Sequence, residues 1–438
     1  MKKAIKYLSG MKSRYFMLLA CLILLVGATS CSSDEFETNL PEEPQQLSKE
    51  ELLQKYSKAE LIEQALRRMP QTRTNNSRVE MVTIKDTVSL QFKALGDIEI
   101  HWENSIRYVT AGSDIEETHI FTDGYPSHYI RIIGPTTAIQ SIVIDNNELI
   151  SLDIKSNENL TNLNCANNHL DALDLSGCKK LGGLDISNNE FISIDLTCLP
   201  ELLLLHAVNN WLTELDVSAN PNIFELYIEN NRIRELDLSK NPILFTLEAQ
   251  NNPLKILRLE SEILGYMDVS YTQITDLDLR KCKALWAIIL EGTPIERLNN
   301  DIIRDTSFIS FTELQQLNIA YTSSFTELNL SVNPSVILVD ISGSSITRLD
   351  ISEGQIMYLY ASRSKLTDLI WGENDLDNLF EVRIERTPFE KKNWNDIKSF
   401  FYNFPDRRTT APGHLYTYSS SMKEIYSIIG SYNWLINE

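Results

Sequence analysis

Apolar residues recur with a period of about 21 residues over most of this chain, from residue 139 to residue 389. Three successive copies begin at Leu160, Leu181 and Leu202, and each follows the pattern L-x-x-L-x-L-x-x-N-x-L. Apolar and polar positions alternate within a copy, which predicts short strands with one buried face. One copy is too small to bury its own apolar residues, so the copies must stack on one another. The pattern therefore predicts a mainly β solenoid.

The alignment on this pattern predicts about twelve coils over residues 139–389. Their first residues are Ile139, Leu160, Leu181, Leu202, Ile223, Leu244, Leu264, Leu285, Leu314, Val336, Ile356 and Leu379. The copy that begins at Leu285 carries an insertion near Asn299. Insertions of this kind form loops on one face of a solenoid, where they either serve binding or are tolerated additions.

One polar column changes its residue type along the array. Its members are Asn147, Asn168, Asn189, Asn210, Asn231 and Asn252, followed by Thr272, Thr293, Thr322, Ser344, Ser364 and Thr387. A hydroxyl group forms fewer hydrogen bonds than an amide. We therefore expect a structural change near Leu264, for example in curvature, and no chemistry at this column.

A second polar column consists of aspartates. Its members are Asp153, Asp174, Asp195, Asp216, Asp237, Asp278 and Asp350. Stacked carboxylates could bind calcium, but the glycine-rich loops of calcium sites are missing from the sequence. We expect each aspartate to accept a hydrogen bond from the turn that follows it.

The copies resemble the bacterial leucine-rich repeats of about 21 residues, as found in internalin-like surface proteins, whose second half, L-x-x-L-D-L-S-x-N, nearly repeats the first. The resemblance covers more than half of the chain. It implies short strands on both faces of each coil, no helix within a coil, and inward asparagines that bond to the backbone of the adjacent coil.

Shorter segments flank the array. Residues 48–70 carry a capping box at Ser48 and Glu51 and an apolar stripe, which together predict one helix. Residues 80–137 alternate in short runs, which predicts a small β-sandwich that caps the first coil. This segment resembles the PKD-like β-domain of Bacteroidetes surface proteins, but the family's W-G-D-G turn is replaced by Trp102-Glu103-Asn104-Ser105. No ligand role of that turn therefore carries over. Residues 390–438 contain the run Phe404-Pro405-Asp406-Arg407, a turn at Pro412-Gly413 and a final aromatic at Trp434. This order resembles the family's C-terminal cap, so the segment is expected to form a small α/β cap.

The N-terminus predicts export and lipidation. Residues 1–30 combine a basic start with an apolar stretch that is too short to span a bilayer, as in a signal peptide. Small residues precede Cys31, as in bacterial lipoprotein signals, in which this cysteine is lipidated; Cys21 is the alternative cleavage position. Residues 31–47 predict a flexible tether, and its acidic start resembles the surface-export tag of Bacteroidetes lipoproteins. We expect an outer-membrane lipoprotein that faces the exterior, with a periplasm-facing anchor as the alternative.

Charge restricts the partners. The formal net charge is −20, and a strongly acidic surface repels phosphate backbones, so nucleic acid is not expected. Membrane contact is expected only through the lipid anchor, and we expect a monomer.

Exposed positions of the strand face are rich in tyrosine, acids and, toward the C-terminal end, arginine. Such positions point outward because side chains alternate along a strand. The candidate binding residues are Tyr227, Glu229, Tyr266, Asp268, Tyr271, Tyr321, Tyr358, Tyr360, Arg363, Arg383 and Arg386. Tyrosine and arginine are enriched in protein interfaces, although tyrosine also suits exposed strand positions for its β-propensity alone.

Three functions remain open from the sequence. The leading prediction is a surface module that binds an unknown host or bacterial protein, or mediates adhesion. Glycan capture for an outer-membrane polysaccharide uptake system is the alternative, and a structural envelope role is the third. The catalytic signatures G-x-S-x-G and H-E-x-x-H and the P-loop are missing from the sequence. We therefore expect no enzyme activity, no cofactor and no metal.

Four cysteines lie in the array, at Cys165, Cys178, Cys198 and Cys282. We expect them to fill small buried positions of the interior columns. Pairing of Cys178 with Cys198 is the alternative, since an exported protein meets an oxidising space.

Overall fold

The computed structural model describes residues 49–68, 77–135, 137–298, 301–302, 311–372, 378–389, 412–417 and 434–437. The predicted signal peptide, Cys31 and the tether lie outside these ranges. Most of the insertion near Asn299 and most of the predicted C-terminal cap lie outside them as well. The helices within these ranges lack the length and the apolar composition of a bilayer-spanning segment.

Two short helices replace the single helix predicted over residues 48–70. They are α1 (Lys49–Lys55) and α2 (Lys58–Arg67). The chain leaves the helical conformation at Ser57, whose extended backbone (φ −68°, ψ 155°) caps α2. The Glu60 amide donates to Ser57 Oγ at 3.3 Å, and the Ser57 amide donates to Glu60 Oε2 at 2.8 Å. The single-helix prediction is wrong because this internal capping box starts a second helix within one apolar stripe.

Helix α2 is held on the first coils by one lysine. Lys58 Nζ donates to the carbonyl oxygen of His169 at 2.6 Å and to Glu190 Oε2 at 2.8 Å. On its other face, Leu61 and Ala65 are buried. The helix therefore covers apolar surface and also tethers two successive coils.

Eight strands form the N-terminal part of the fold. They are β1 (Ser77–Thr83), β2 (Thr87–Ala94), β3 (Ile98–Trp102), β4 (Ser105–Val109), β5 (Gly112–Ile120), β6 (His128–Ile133), β7 (Ile139–Val143) and β8 (Leu149–Asp153). Strand β2 alternates strictly between exposed and buried residues, as the sequence predicts. One sheet has the order β4-β3-β6-β1-β8, and β5, β2 and β7 form the end of another. Strands β1 and β2 pair antiparallel with β8 and β7, the two strands of the first repeat.

The repeats and the segment that follows them form short strands. In chain order they are β9 (Asn162–Asn164), β10 (Gly183–Asp185), β11 (Leu204–His206), β12 (Glu225–Tyr227), β13 (Glu235–Leu238), β14 (Thr246–Glu248), β15 (Ile256–Leu259), β16 (Tyr266–Asp268), β17 (Asp276–Leu277), β18 (Ala287–Ile289), β19 (Arg297–Leu298), β20 (Asp301–Ile302), β21 (Gln316–Asn318), β22 (Glu327–Asn329), β23 (Leu338–Asp340), β24 (Arg348–Asp350), β25 (Tyr358–Tyr360), β26 (Asp368–Ile370), β27 (Glu381–Arg383), β28 (Gly413–Tyr416) and β29 (Trp434–Asn437).

Most of these strands extend the sheet of β7 into one long ladder. Its order from β7 is β9-β10-β11-β12-β14-β16-β18-β21-β23-β25-β27-β28-β29. Neighbours pair in parallel with the repeat spacing, so that Leu184 lies opposite Leu205. The solenoid has about 11 turns, against the twelve coils predicted. The first copy differs from the rest because its strands β7 and β8 also belong to the N-terminal sheets.

The second half of the repeats forms shorter ladders. They are β13-β15, β17-β19-β20 and β22-β24-β26. The inward leucines of the two halves share one continuous core with the N-terminal strands. Each coil thus buries its apolar residues only against its neighbours, as the repeat pattern requires.

The inward asparagines join successive coils. Asn231 Nδ2 donates to the carbonyl oxygens of Ala207 and Ile228 at 2.8 and 3.0 Å, and its Oδ1 accepts from the Leu212 amide at 3.0 Å. At the equivalent position two coils later, Thr272 Oγ1 donates to the carbonyl oxygen of Val269 within its own coil, at 2.8 Å. The change expected near Leu264 is therefore present as a change in hydrogen bonding.

Three of the four array cysteines fill interior positions, as predicted. Cys165, Cys178 and Cys282 are fully buried, and Cys198 is half-buried. All four are free thiols, so the alternative of a Cys178–Cys198 disulfide does not occur in the structure. Burial raises the pKa of the Cys178 thiol to about 12, which keeps it protonated and unreactive.

Candidate functional site

The long ladder presents two outward columns of side chains. In each coil, the first and third residues of the strand point outward, while the middle residue is buried. Neighbouring strands lie about 4.8 Å apart, so side chains in one column contact those of the next coil. The predicted residues Tyr227, Tyr266, Asp268, Tyr358 and Tyr360 occupy these columns, all half-buried.

The C-terminal end of this face carries a cluster that we call the tyrosine–arginine patch. It consists of Tyr358, Tyr360, Arg383 and Tyr416 on strands β25, β27 and β28. The Arg383 guanidinium carbon lies 5.1 Å from the centre of the Tyr360 ring and 4.4 Å from that of Tyr416. Both rings are therefore within cation–π distance of one arginine.

A carboxylate also orients this arginine. Arg383 Nε donates to Glu381 Oε1 at 2.7 Å. Burial alone would lower the pKa of Arg383, but this bond outweighs it and holds the pKa above its ordinary value. The side chain remains 44 % exposed. The Arg383 side chain is thus ordered in the absence of a partner, and its exposed part remains accessible for binding.

The middle of the face carries a second cluster, the acidic patch. It consists of Glu229, Glu248, Asp268 and Glu291 from four successive coils. Burial raises the pKa of Glu229 to about 7, and the charges of Glu248 and Asp268 raise it further. Burial likewise raises the pKa values of Glu248 and Asp268. Part of the patch therefore holds protons near neutral pH.

We expect Glu229→Gln to raise the free energy of unfolding, relative to wild type, more at pH 8 than at pH 5. The pKa of the Glu229 carboxyl is higher in the folded chain than in the unfolded chain, so folding favours the protonated form. Its contribution to stability is therefore fully present below pH 4.5 and is lost as pH rises through about 7. Solvent screening reduces the effect to about 1–2 kcal/mol. Urea unfolding at both pH values measures it, with Glu235→Gln on the opposite ladder as the control. Equal pH dependence in wild type and Glu229→Gln would refute the raised pKa.

Five predicted binding residues lie beyond the strands rather than on them: Glu229, which follows β12, and a group of four at the next turn position. The four are Tyr271, Tyr321, Arg363 and Arg386, with left-handed φ values of 54°, 56°, 60° and 62°. Asparagines such as Asn209 (φ 53°) hold this turn position in the N-terminal coils. The placement of all five residues on the strands is therefore wrong, although the four at the turn are exposed. A left-handed backbone is costly for a large side chain.

Glycines alternate with the two tyrosines at this turn. Gly292 and Gly343 hold the position in the coils that follow Tyr271 and Tyr321. A Cβ atom on Gly343 would lie 2.5 Å from Tyr321 Cδ1, and one on Gly292 would lie 2.8 Å from Tyr271 Cδ1. Each ring thus covers the backbone of the next coil. The hydroxyl of Tyr271 also donates to Glu291 Oε1, which links this turn to the acidic patch.

An aromatic row that the repeat pattern does not reveal lies at the start of the strands. Phe224 and Phe245 stack with ring centres 5.2 Å apart, and Trp286 lies 5.5 Å from Tyr266. Farther along, the Phe380 ring lies 5.8 Å from that of Tyr358. Phe224, Phe245, Trp286 and Phe380 occupy the second position of the repeat pattern. The residue type at this position varies along the chain, so periodicity alone does not identify the row.

The aspartate column has the structural role expected of it. All seven carboxylates accept a hydrogen bond from the backbone amide two residues later, at 2.9–3.1 Å. At Asp216, for example, hydrogen bonds from Ser218 lower the pKa of the carboxyl. This column therefore closes turns.

A scan against protein-family models gives no match, and a search of curated proteins gives none either. Among solved structures, the functional domain of InlJ from Listeria monocytogenes is similar, with a TM-score of 0.46 and 21% identity over 64% of this chain and 70% of that one. The LRIM1/APL1C complex gives 0.47 and 20% over 62% and 53%, so the chain spans about half of that neighbour. YopM, a leucine-rich effector protein from Yersinia pestis, gives 0.45 and 20% over 57% and 72%. The neighbours thus include bacterial leucine-rich repeat proteins, and the similarity concerns the fold alone.

Proposed function

We propose that this chain is a binding module that takes a protein partner on the strand face, centred on the tyrosine–arginine patch. The observation that carries the proposal is Arg383, held between the rings of Tyr360 and Tyr416 while almost half of its side chain stays exposed. Tyrosine and arginine supply much of the binding energy of protein interfaces. Their prior ordering lowers the entropy that binding must remove.

The partner we propose carries a basic surface. The acidic patch lies on the same face, and the formal net charge of the chain is −20. Complementary charge raises association rates and makes them sensitive to salt. We therefore expect binding to slow as ionic strength rises.

Binding to parallel arrays of host proteins and polysaccharides tests whether the partner is a protein or a glycan. The chain without its first 33 residues is applied to both. Protein hits with basic surfaces, weakened by salt, would support the proposal and an adhesive role. Hits confined to polysaccharides would contradict it and favour glycan capture.

We also propose that the mature chain begins at a lipidated Cys31 in the outer membrane and faces the exterior. The support is the signal-like sequence of residues 1–30 and the acidic residues that follow the cysteine. Cys31→Ser is expected to abolish labelling by a radioactive fatty acid, whereas Cys21→Ser keeps it. Loss of labelling in Cys21→Ser alone would refute this cleavage position. Protease treatment of intact cells should remove the protein if it faces outward.

We also propose that the segments flanking the repeats cap the two ends of the solenoid. The support at the N-terminal end is the pairing of β1 and β2 with the two strands of the first repeat. Without these strands, Ile139 and Ile142, now fully buried, would meet solvent. At the other end, β28 and β29 continue the ladder past β27.

A further inference from the structure

Three potential metal ligands converge in the N-terminal part of the fold, away from the strand face. They are Glu103 in the turn between β3 and β4, Asp123 in the loop after β5, and His128 at the start of β6. One atom from each lies within 4.8 Å of the other two. Antiparallel pairing of β3 with β6 brings these distant parts of the sequence together.

His128 has one ring nitrogen engaged and the other unpaired. Its side chain is fully buried. Nε2 lies 3.2 Å from Asp86 Oδ1, and since a carboxylate only accepts, Nε2 carries the proton in the neutral ring. Among the described residues, Nδ1 has no hydrogen-bond partner. This buried nitrogen therefore faces the cluster without a bond.

Two carboxylate oxygens face this nitrogen at unusual distances. Asp123 Oδ1 lies 3.7 Å and Glu103 Oε2 lies 3.8 Å from Nδ1. Both distances are too long for hydrogen bonds, so three potential ligand atoms converge without bonding one another, an arrangement that a cation among them would stabilise. An ion in the plane of the three atoms and equidistant from them would lie at most about 2.4 Å from each, a few tenths of an ångström beyond zinc–ligand distances.

The surroundings of Glu103 orient its carboxylate toward this point. Its Oε1 accepts from the Tyr129 amide at 3.0 Å and from Arg68 Nη2 at 3.3 Å, which leaves Oε2 directed at His128. Its backbone has a φ of 27°, in the region that favours glycine. A glutamate in such a position is strained, and strained residues concentrate at ligand sites.

We propose that Glu103, Asp123 and His128 bind one divalent transition-metal ion of the zinc class. An imidazole nitrogen with two carboxylates suits zinc and its neighbours, whereas calcium and magnesium prefer oxygen ligands alone. Asp86 orients the ring through Nε2, as the outer carboxylates of histidine metal sites do. Two carboxylates also neutralise the charge of the ion. The bound metal would join the β3–β4 turn to the loop before β6.

Isothermal titration of the purified full chain with Zn²⁺ tests the site. We expect saturation at one ion per chain, and Co²⁺ should give visible absorption bands of a site with one nitrogen ligand. Asp123→Asn, partly exposed and thus tolerated by the fold, should weaken Zn²⁺ affinity at least about tenfold, and Asp86→Asn should weaken it about 10–100-fold. Glu116→Gln, an exposed carboxyl of β5, should bind like wild type.

Two results would overturn the proposal. One is a wild-type chain that takes up no Zn²⁺ at one-to-one stoichiometry. The other is unchanged affinity in Asp123→Asn, which would place any bound zinc elsewhere. Circular dichroism spectra of the variants without metal establish that a loss of binding is not a loss of folding.

Discussion

Asn231→Ala is expected to lower the free energy of unfolding by about 3 kcal/mol, because it leaves a buried amide without a partner. Asn231 is buried and accepts from the amide of Leu212 in the preceding coil while donating to two carbonyl oxygens. Alanine replaces none of these bonds. Urea denaturation followed by circular dichroism measures the loss.

Thr293→Ala is the matched control for the asparagine variant. Thr293 is equally buried, but its hydroxyl donates to the carbonyl oxygen of Leu290 in the same coil, at 2.6 Å. Its loss should cost about 1 kcal/mol. Equal destabilisation by the two variants would contradict the view that the asparagines, unlike the hydroxyl residues, tie coils together.

Tyr358→Ala/Tyr360→Ala should weaken binding of a protein partner about 100-fold. The two rings cover adjacent parts of the tyrosine–arginine patch, and Tyr360 also stacks beside Arg383. Truncation of a central aromatic residue commonly costs about 2 kcal/mol at an interface hot spot, and the costs of neighbouring residues overlap, so about 2.7 kcal/mol is expected for the pair. Surface plasmon resonance with a partner from the protein array measures the change.

Ile256→Ala/Arg258→Ala is the matched control for the binding variant. These residues have the same spacing on strand β15 of the opposite ladder, and both are exposed. We expect its affinity to match that of wild type. A loss of binding in this control, with wild-type affinity in the tyrosine variant, would move the interface to the opposite side of the solenoid.

The repeat pattern predicted the features that depend on periodicity. Spacing alone placed asparagines such as Asn189 in one column and aspartates such as Asp216 in another, because one residue type at one interval must occupy one environment. The inward direction of the asparagines was implied by the resemblance to bacterial leucine-rich repeats. The alternation in β2 similarly predicted its buried face. These parts of the fold follow from local sequence.

Features that depend on backbone conformation were not predictable in this way. Tyr271 was placed on the strand because the pattern gives a position but no φ angle, and the left-handed turn there is otherwise held by asparagine or glycine. The break at Ser57 was missed because the apolar stripe continues through it. Both errors arise where a local backbone preference overrides a continuous pattern.

Features that depend on the pairing of distant strands were even less predictable from the sequence. Glu103 and His128 are 25 positions apart and meet only because β3 pairs with β6. Tyr416 lies outside the repeats and joins Arg383 only because β28 pairs with β27. No pattern search on isolated motifs combines such residues.

Hydrogen–deuterium exchange of the chain with and without its protein partner identifies the face of the solenoid that binds. We expect slower exchange at and beside strands β23, β25 and β27 of the strand face, with unchanged exchange at β22, β24 and β26 on the opposite side of the coils that carry β21, β23 and β25. Protection of the opposite strands alone, with no change around Tyr360 and Arg383, would contradict this expectation.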